Sequence, residues 1–438
     1  MTTLPVSTPE DDIPVKKRVV FAWSLWDWGS AAFNAVVTTF VFATYLVSGA
    51  FGDESEVSPK LGFALTIAGI VIALVAPIAG RISDSGGHRK RWLGVNSAIV
   101  AACIALLVFV APEERYLTFA LIVLAVGNVA FEFASVSYNS MLTQVSTNAN
   151  VGKVSGFGWG MGYIGGIVLL GILLVGFIFP DEGWFGVTAD NAWNIRIAML
   201  FSAVWFGVFA LPVLFAVPEI NATPNRERAT VVSAYRDLFR TISNLWKTAR
   251  QTLFYLFASA VFRDGLAGVF AFGGVIAAAS FGFSADTVII FAIAANVVAG
   301  LATILCGALE DRLGAKNIMV GSLISMVLFG LLVFMLADFG AWVFWVFGLL
   351  LCVFVGPVQS SSRTYLAKLI PKGREGEIFG LYATTGRAVS FLSPAAFSVA
   401  VVIGGSTIYG ILGIVFVVLV GLLLLLPVQA TAIEARDE

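Results

Sequence analysis

The sequence predicts an all-α integral-membrane protein of twelve transmembrane helices, arranged as two pseudo-symmetric six-helix bundles. Three observations carry that reading. First, 59% of the 438 residues are hydrophobic, only 12% are charged and the mean hydropathy is +0.93, whereas soluble domains carry about 25% charged residues. Second, charged and turn-rich clusters cut the chain into twelve apolar stretches, most of them long enough for a tilted helix to cross roughly 30 Å of hydrocarbon. Third, a short polar segment occurs once in each half. It runs Gly80-Arg81-Ile82-Ser83-Asp84-Ser85-Gly86-Gly87-His88-Arg89-Lys90-Arg91 and Gly307-Ala308-Leu309-Glu310-Asp311-Arg312-Leu313-Gly314-Ala315-Lys316. Both copies keep a glycine, an aspartate four residues on and a second glycine three further.

The predicted spans lie near 20–48, 61–80, 93–111, 116–143, 155–179 and 196–217, then 252–280, 286–308, 318–337, 340–368, 377–403 and 405–428. A polar tail, 1–18, precedes them and ends in Lys16, Lys17 and Arg18. No small-residue cleavage site follows a short apolar core there, which argues against a cleaved signal peptide. The first bundle takes 19–217 and the second 252–428, with a short tail at 429–438. Between the bundles, the connection 218–251 repeats Val231, Val232, Tyr235, Leu238, Phe239, Ile242, Leu245 and Trp246 at helical spacing among Arg228, Arg236, Arg240, Lys247 and Arg250. That pattern predicts an amphipathic basic helix suited to an anionic inner leaflet. Basic residues gather in alternate connections, whereas the others hold Asp53, Glu54 and Glu56, Glu113 and Glu114, Asp181, Glu182 and Asp190, Asp286 and Asp338. Under the positive-inside rule both termini are cytoplasmic, and a multi-pass protein of the plasma or inner membrane is expected.

The duplication extends beyond the polar turns. Gly152, Val154, Gly156 and Gly162 match Gly376, Ile378, Gly380 and Gly386 at a constant offset, and Asp27 in span one has a counterpart in Asp264 in span seven. Two related six-helix halves place a substrate site between them near the midplane. The series Gly156, Gly158, Gly160 and Gly162 reads as a close helix contact.

Composition also excludes several classes. Cys103, Cys306 and Cys352 fall inside spans and read as small packing residues, and His88 is the single histidine. No disulfide, metal site or cofactor is therefore expected. The net charge of −1 hides the asymmetry between connections and says little about partners, and the pattern of the charges gives no sign of a nucleic-acid partner. Without a His–Asp pair, a metal-ligand cluster or a long extramembrane loop, an integral-membrane enzyme is disfavoured.

Several segments carry a closer likeness. They are Trp23-Ser24-Leu25-Trp26-Asp27-Trp28-Gly29-Ser30-Ala31-Ala32-Phe33, Tyr138-Asn139-Ser140-Met141-Leu142, Ser155-Gly156-Phe157-Gly158-Trp159, and Gln359-Ser360-Ser361-Ser362-Arg363-Thr364-Tyr365-Leu366-Ala367 with Ile370-Pro371. With the duplicated turn, they make the chain resemble the major facilitator superfamily, and within it the UMF1 branch, which includes the fungal vacuolar amino-acid effluxer linked to autophagy. The resemblance implies the major facilitator fold and transport of a small polar or zwitterionic solute, such as an amino acid, by alternating access with proton coupling. It also implies gating by the polar turns. Asp84 would cap a helix of the other half, Gly80 and Gly87 would allow a close approach and a tight turn, and Arg89 would join the charged cluster, with Asp311 and Arg312 in the second copy.

Asp27, Glu132, Arg263, Asp264 and Arg387 lie well inside spans, where each would cost about 2.5 to 3.5 kcal/mol or more facing lipid. They are the leading site candidates. A rise of about 1.5 Å per residue sets Asp27 about 12 Å and Asp264 about 18 Å from the inner face. Asp27, Glu132 and Asp264 are candidates to carry a coupled proton, and Arg263 and Arg387 to bind a carboxylate or another anion. Static ion pairs, for example Arg263 with Asp27 or Glu132, are the alternative. Asn34, Tyr138, Asn139, Trp159, Gln359 and Tyr382 are expected to shape the substrate cavity. The expected partners are thus a small-molecule substrate, protons and the bilayer, for a monomer. A membrane sensor without transport and a proton-independent facilitator are the competing readings.

Overall fold

The structure is a computed structural model. It describes residues 16–85, 87–219, 240, 242–243, 245–247, 250–370 and 373–429, without the side chains of Glu54, Ser55, Ser85, Ala285 and Asp286. The N-terminal tail before residue 16, most of the connection predicted as an amphipathic basic helix, and the end of the C-terminal tail lie outside the described residues.

Among the described residues, twelve helices are long and apolar enough to cross a membrane: Lys17–Leu46, Glu56–Asp84, Arg89–Phe109, Glu114–Val145, Val151–Ile178, Asp190–Ala216, Arg250–Phe281, Thr287–Leu313, Ala315–Met335, Ala341–Leu369, Glu375–Gly404 and Thr407–Leu425. They are called spans one to twelve below. Their ends agree with the sequence expectation to within a turn or two. Both polar turns fall on one face of the bundle, called the motif end, and the opposite face is the far end.

Several spans are locally irregular, spans one and eleven among them. Span one passes from an α-helix, Lys17–Ala31, into a wider π-helical stretch, Ala32–Phe40. Span eleven breaks between Glu375–Val389 and Leu392–Gly404. Pro394 stands just inside the second segment, where its missing N–H costs nothing. The free Ser393 N–H there donates to the Asp264 carboxylate at 2.6 Å, and the Ser393 hydroxyl donates to the Asp264 carbonyl at 2.9 Å. Span seven therefore satisfies backbone that the break would leave bare in hydrocarbon.

Within the first bundle Trp23, Trp26 and Phe33 of span one are core. Tyr138 is sandwiched between Trp23 and Trp26, with ring centroids 4.5 and 4.4 Å away, and the Trp26 N–H donates to Ser97 Oγ at 3.0 Å.

The halves meet at two crossings related by the duplication, span two against span eleven and span five against span eight. Both crossings are made of glycine. Gly80 packs on the Gly376 backbone and Gly380 on Ala76 and Pro77. Gly156 packs on Gly307 and Gly160 on Ile304, so close that a Cβ on Gly156 would lie 2.7 Å from the Gly307 Cα. Gly158 and Gly162 face Trp23 and Asp27 of span one instead. Nearer the far end, a Cβ on Gly62 or Gly69 of span two, or Gly171 of span five, would meet nothing within 4 Å. The glycine contacts thus hold the halves together at the motif end.

Candidate functional site

Each polar turn holds the helix of the opposite half. In the first, Gly87 takes a left-handed conformation with φ of +63°, which returns the chain sharply enough for Arg89 to reach Asp84. The Arg89 Nε donates to Asp84 at 2.8 Å, and a second guanidinium nitrogen meets both Asp84 at 2.6 Å and Glu375 of span eleven at 2.5 Å. The other Asp84 oxygen accepts the Glu377 N–H at 3.0 Å, one of the free amides in the first turn of span eleven. The second copy repeats the cap. Gly314 has φ of +85°, and Asp311 accepts the Gly152 and Lys153 N–H groups of span five at 2.8 and 3.1 Å. Arg312 is exposed and makes none of the contacts that Arg89 makes.

Above these turns lies a cavity of about 150 Å³ between the halves. Span four contributes Glu132, Ser135, Val136 and Asn139, and span five Trp159. From the other half come Arg263 of span seven, Gln359 and Arg363 of span ten, and Phe379, Tyr382 and Ala383 of span eleven. At about 1.5 Å per residue its lining runs from about 9 Å (Arg363) to about 20 Å (Arg263) from the motif end, so it occupies the middle of the membrane.

Arg363 forms the floor. It is 2% exposed and donates to Asn139 Oδ1 at 3.0 Å, Ser155 Oγ at 3.1 Å and the Ser155 carbonyl at 2.8 Å, all in the other half. Its guanidinium lies 3.5 Å from the Asp27 carboxylate, which also accepts the Tyr138 hydroxyl at 2.8 Å. The rings of Trp23, Tyr138 and Trp159 surround it at 5.2, 5.8 and 5.0 Å. Sequence reasoning missed this residue because Arg363 stands close to Lys368 and reads as part of the basic boundary. The available signal was Gln359, four residues earlier and so on the same helix face.

Arg263 differs from Arg363 in having no carboxylate. It lies over the Tyr382 ring at 3.6 Å and donates to the Tyr382 carbonyl at 3.1 Å. Among the described residues, no Asp or Glu oxygen is within ion-pair distance of it. The expected pairing of Arg263 with Asp27 or Glu132 is replaced by two other cross-half pairs, Arg363 with Asp27 and Arg387 with Glu132 at 2.9 Å. The structure thus brings Glu132, Asn139, Trp159, Arg263, Gln359 and Tyr382 to one cavity, with Asp27 and Tyr138 beneath its floor and Arg387 joined to Glu132.

Two expected cavity residues are not brought there. Asp264 turns to the break in span eleven, as described above, so its carboxylate is engaged within its own half. Asn34 is exposed in the π-helical stretch of span one, where its carbonyl accepts the Thr38 and Thr39 hydroxyls.

Twelve spans in two six-helix bundles around a charged cavity are the architecture of a transporter of the major facilitator superfamily. Residues 12–170 match the model of that superfamily. Residues 143–435 match the model described as "Vacuole effluxer Atg22 like", and the chain belongs to that family. The MFS-type transporter YxiO of Bacillus subtilis is 27% identical over 410 residues, covering 92% of this chain and 93% of that protein. Autophagy-related protein 22-1 of Neosartorya fischeri is 23% identical over 266 residues, 56% of this chain and 42% of its own, so the likeness spans less than half of that fungal relative. Among solved structures, the proton:xylose symporter XylE superposes with a TM-score of 0.73 at 13% identity over 93% of this chain and 94% of that one. A bacterial homologue of the iron transporter ferroportin, in its outward-facing state, gives 0.67 at 16% identity over 94% and 98%. At such identities the shared property is the fold.

Proposed function

We propose that this transporter moves a small solute bearing a carboxylate, an amino acid or a close analogue, by alternating access coupled to protons. The observation that carries the reading is Arg263, a cation facing the cavity with no carboxylate of its own. A guanidinium offers a planar fork matched to a carboxylate, and the Tyr382 ring fixes it from one side. On the opposite wall Glu132, already shared with Arg387, supplies negative charge for an ammonium group. The cavity, about 150 Å³, suits a small solute in this closed-floor state.

Coupling follows from the floor. A proton on Asp27 removes the negative charge facing Arg363 and weakens the plug that joins spans one, four and five to span ten. Solute on Arg263 and a proton on Asp27 together favour parting of the motif end. The basic residues of the connections lie at that end, so we assign it to the cytoplasm, with both termini inside. The matching family is described as vacuole effluxer-like, and the resemblance to the branch of the amino-acid effluxer supports the solute class assigned to this chain.

Counterflow of radiolabelled amino acids in proteoliposomes tests the proposal. Arg263→Gln is expected to lower carboxylate-solute counterflow at least tenfold without loss of folded protein, and unchanged counterflow would overturn the solute assignment. Asp27→Asn is expected to keep counterflow but lose accumulation driven by a pH gradient. Accumulation unchanged in that variant removes Asp27 from coupling, and a wild-type rate indifferent to the gradient makes the protein a facilitator.

A further inference from the structure

The two gates are alike in backbone and different in charge. In the first, Asp84 and Glu375 share the buried Arg89. In the second, the position five residues after the aspartate is Lys316, which donates to the Leu426 and Val428 carbonyls at 2.7 and 2.6 Å and neutralises nothing at the gate. Where the first copy has Ser83 before its aspartate, the second has Glu310.

Glu310 is 1% exposed and sits where spans five, eight and ten meet. Span five reaches it through Gly152, on which an added Cβ would lie 2.9 Å from the Glu310 side chain. One carboxylate oxygen is joined to the Ser361 hydroxyl, and the other is buried without a hydrogen-bond partner. The titratable or charged groups that face it are Asp311 and Cys306 on span eight, Lys368 on span ten and, through Asp311, Lys153 on span five, with the Thr364 hydroxyl beside them. Both lysines are exposed, and among the described residues no Lys or Arg nitrogen lies within 4.0 Å of Glu310. Asp311 cannot help, because its two oxygens already accept the Gly152 and Lys153 amides.

An ionised carboxylate in such a place, with one oxygen orphaned and no cation in contact, is costly. The neutral acid has no charge to bury. We infer that Glu310 is a second proton-binding site of this transporter, occupied while spans five and eight are closed and emptied when the motif end opens and water reaches it. The first gate keeps its own cation and is indifferent to this proton. The inference rests on alternating access and not on the identity of the solute.

The test uses the full chain in lipid nanodiscs without solute. Spin labels are attached to His88→Cys in the first half and Asn317→Cys in the second, in a background with Cys103, Cys306 and Cys352 replaced. In the protein with Glu310, the population with a long label-to-label distance is expected to rise several-fold from acidic to alkaline pH. In Glu310→Gln, a permanent neutral mimic that leaves Asp27 intact, the lengthening at alkaline pH is expected to disappear, with thermal stability at acidic pH matching the parent. Ser361→Ala, which removes the one bonded partner, is expected to change the pH at which the distance lengthens and serves if the glutamine variant does not fold. A parent distance that ignores pH, or a glutamine variant that opens like the parent, overturns the inference. In a second arm with amino acids added, a distance that responds to them but not to pH overturns this inference alone, whereas one that responds to neither also removes alternating access.

Discussion

Arg363 gives a single centre to groups from spans one, four and five, namely Asp27, Tyr138, Asn139 and Ser155. Its fork makes three hydrogen bonds in one plane, a geometry that an ammonium does not reproduce. Arg363→Gln leaves Asp27 buried beside no cation, a loss of about 3–5 kcal/mol for a broken buried pair, and is expected to lower the melting temperature in detergent and to abolish transport. Arg363→Lys keeps the charge and is expected to recover stability in part while transport stays low. Equal melting temperatures for all three proteins would show that the floor is not a structural junction. The sequence revealed Asp27, because an acid far inside an apolar stretch stands out. It hid Arg363, because a basic residue near a basic boundary looks like an orientation signal, and only the fold shows that its face turns inward.

At the level of the helix, Asp264 shows how a buried charge can serve the backbone. Depth and its duplicate relation to Asp27 made it a coupling candidate, and both observations are equally consistent with a cap on an interrupted neighbour. The interruption in span eleven was legible only as Pro394. Which helix would satisfy the freed amide depended on packing that no sequence spacing specifies. Replacing Asp264 with Ala removes the acceptor for Ser393 and is expected to cost about 1–3 kcal/mol as an unsatisfied buried donor. Asp264→Asn, which keeps an acceptor oxygen, is expected to retain solute counterflow with a smaller fall in melting temperature. Loss of counterflow in a stable Asp264→Asn protein would return that carboxylate to the transport path. The glycine crossings were more legible, since three glycines at offset 224 from their copies marked both, and they turn out to join opposite halves.

For the molecule as a whole, the duplication was readable and the access state was not. One sequence must encode both arrangements of the halves, so residue patterns describe the hinge surfaces without saying which side is shut. The structure shows the motif end shut by glycine contacts. Gly156→Leu places a side chain where the Gly307 Cα now lies, and it is expected to push the spin-label distance between His88→Cys and Asn317→Cys to longer values at every pH. An unchanged distance would mean that this crossing does not set the closed state.

The exchange of caps between halves also has a consequence for how the chain is made. The first turn of span five receives its two amide partners from Asp311, which lies 159 residues downstream of Gly152. During synthesis that helix begins its life with a frayed start, in a half-protein whose own aspartate, Asp84, is waiting for a helix not yet translated. Neither half can finish its own gate helix, and the biogenesis of each depends on the arrival of the other.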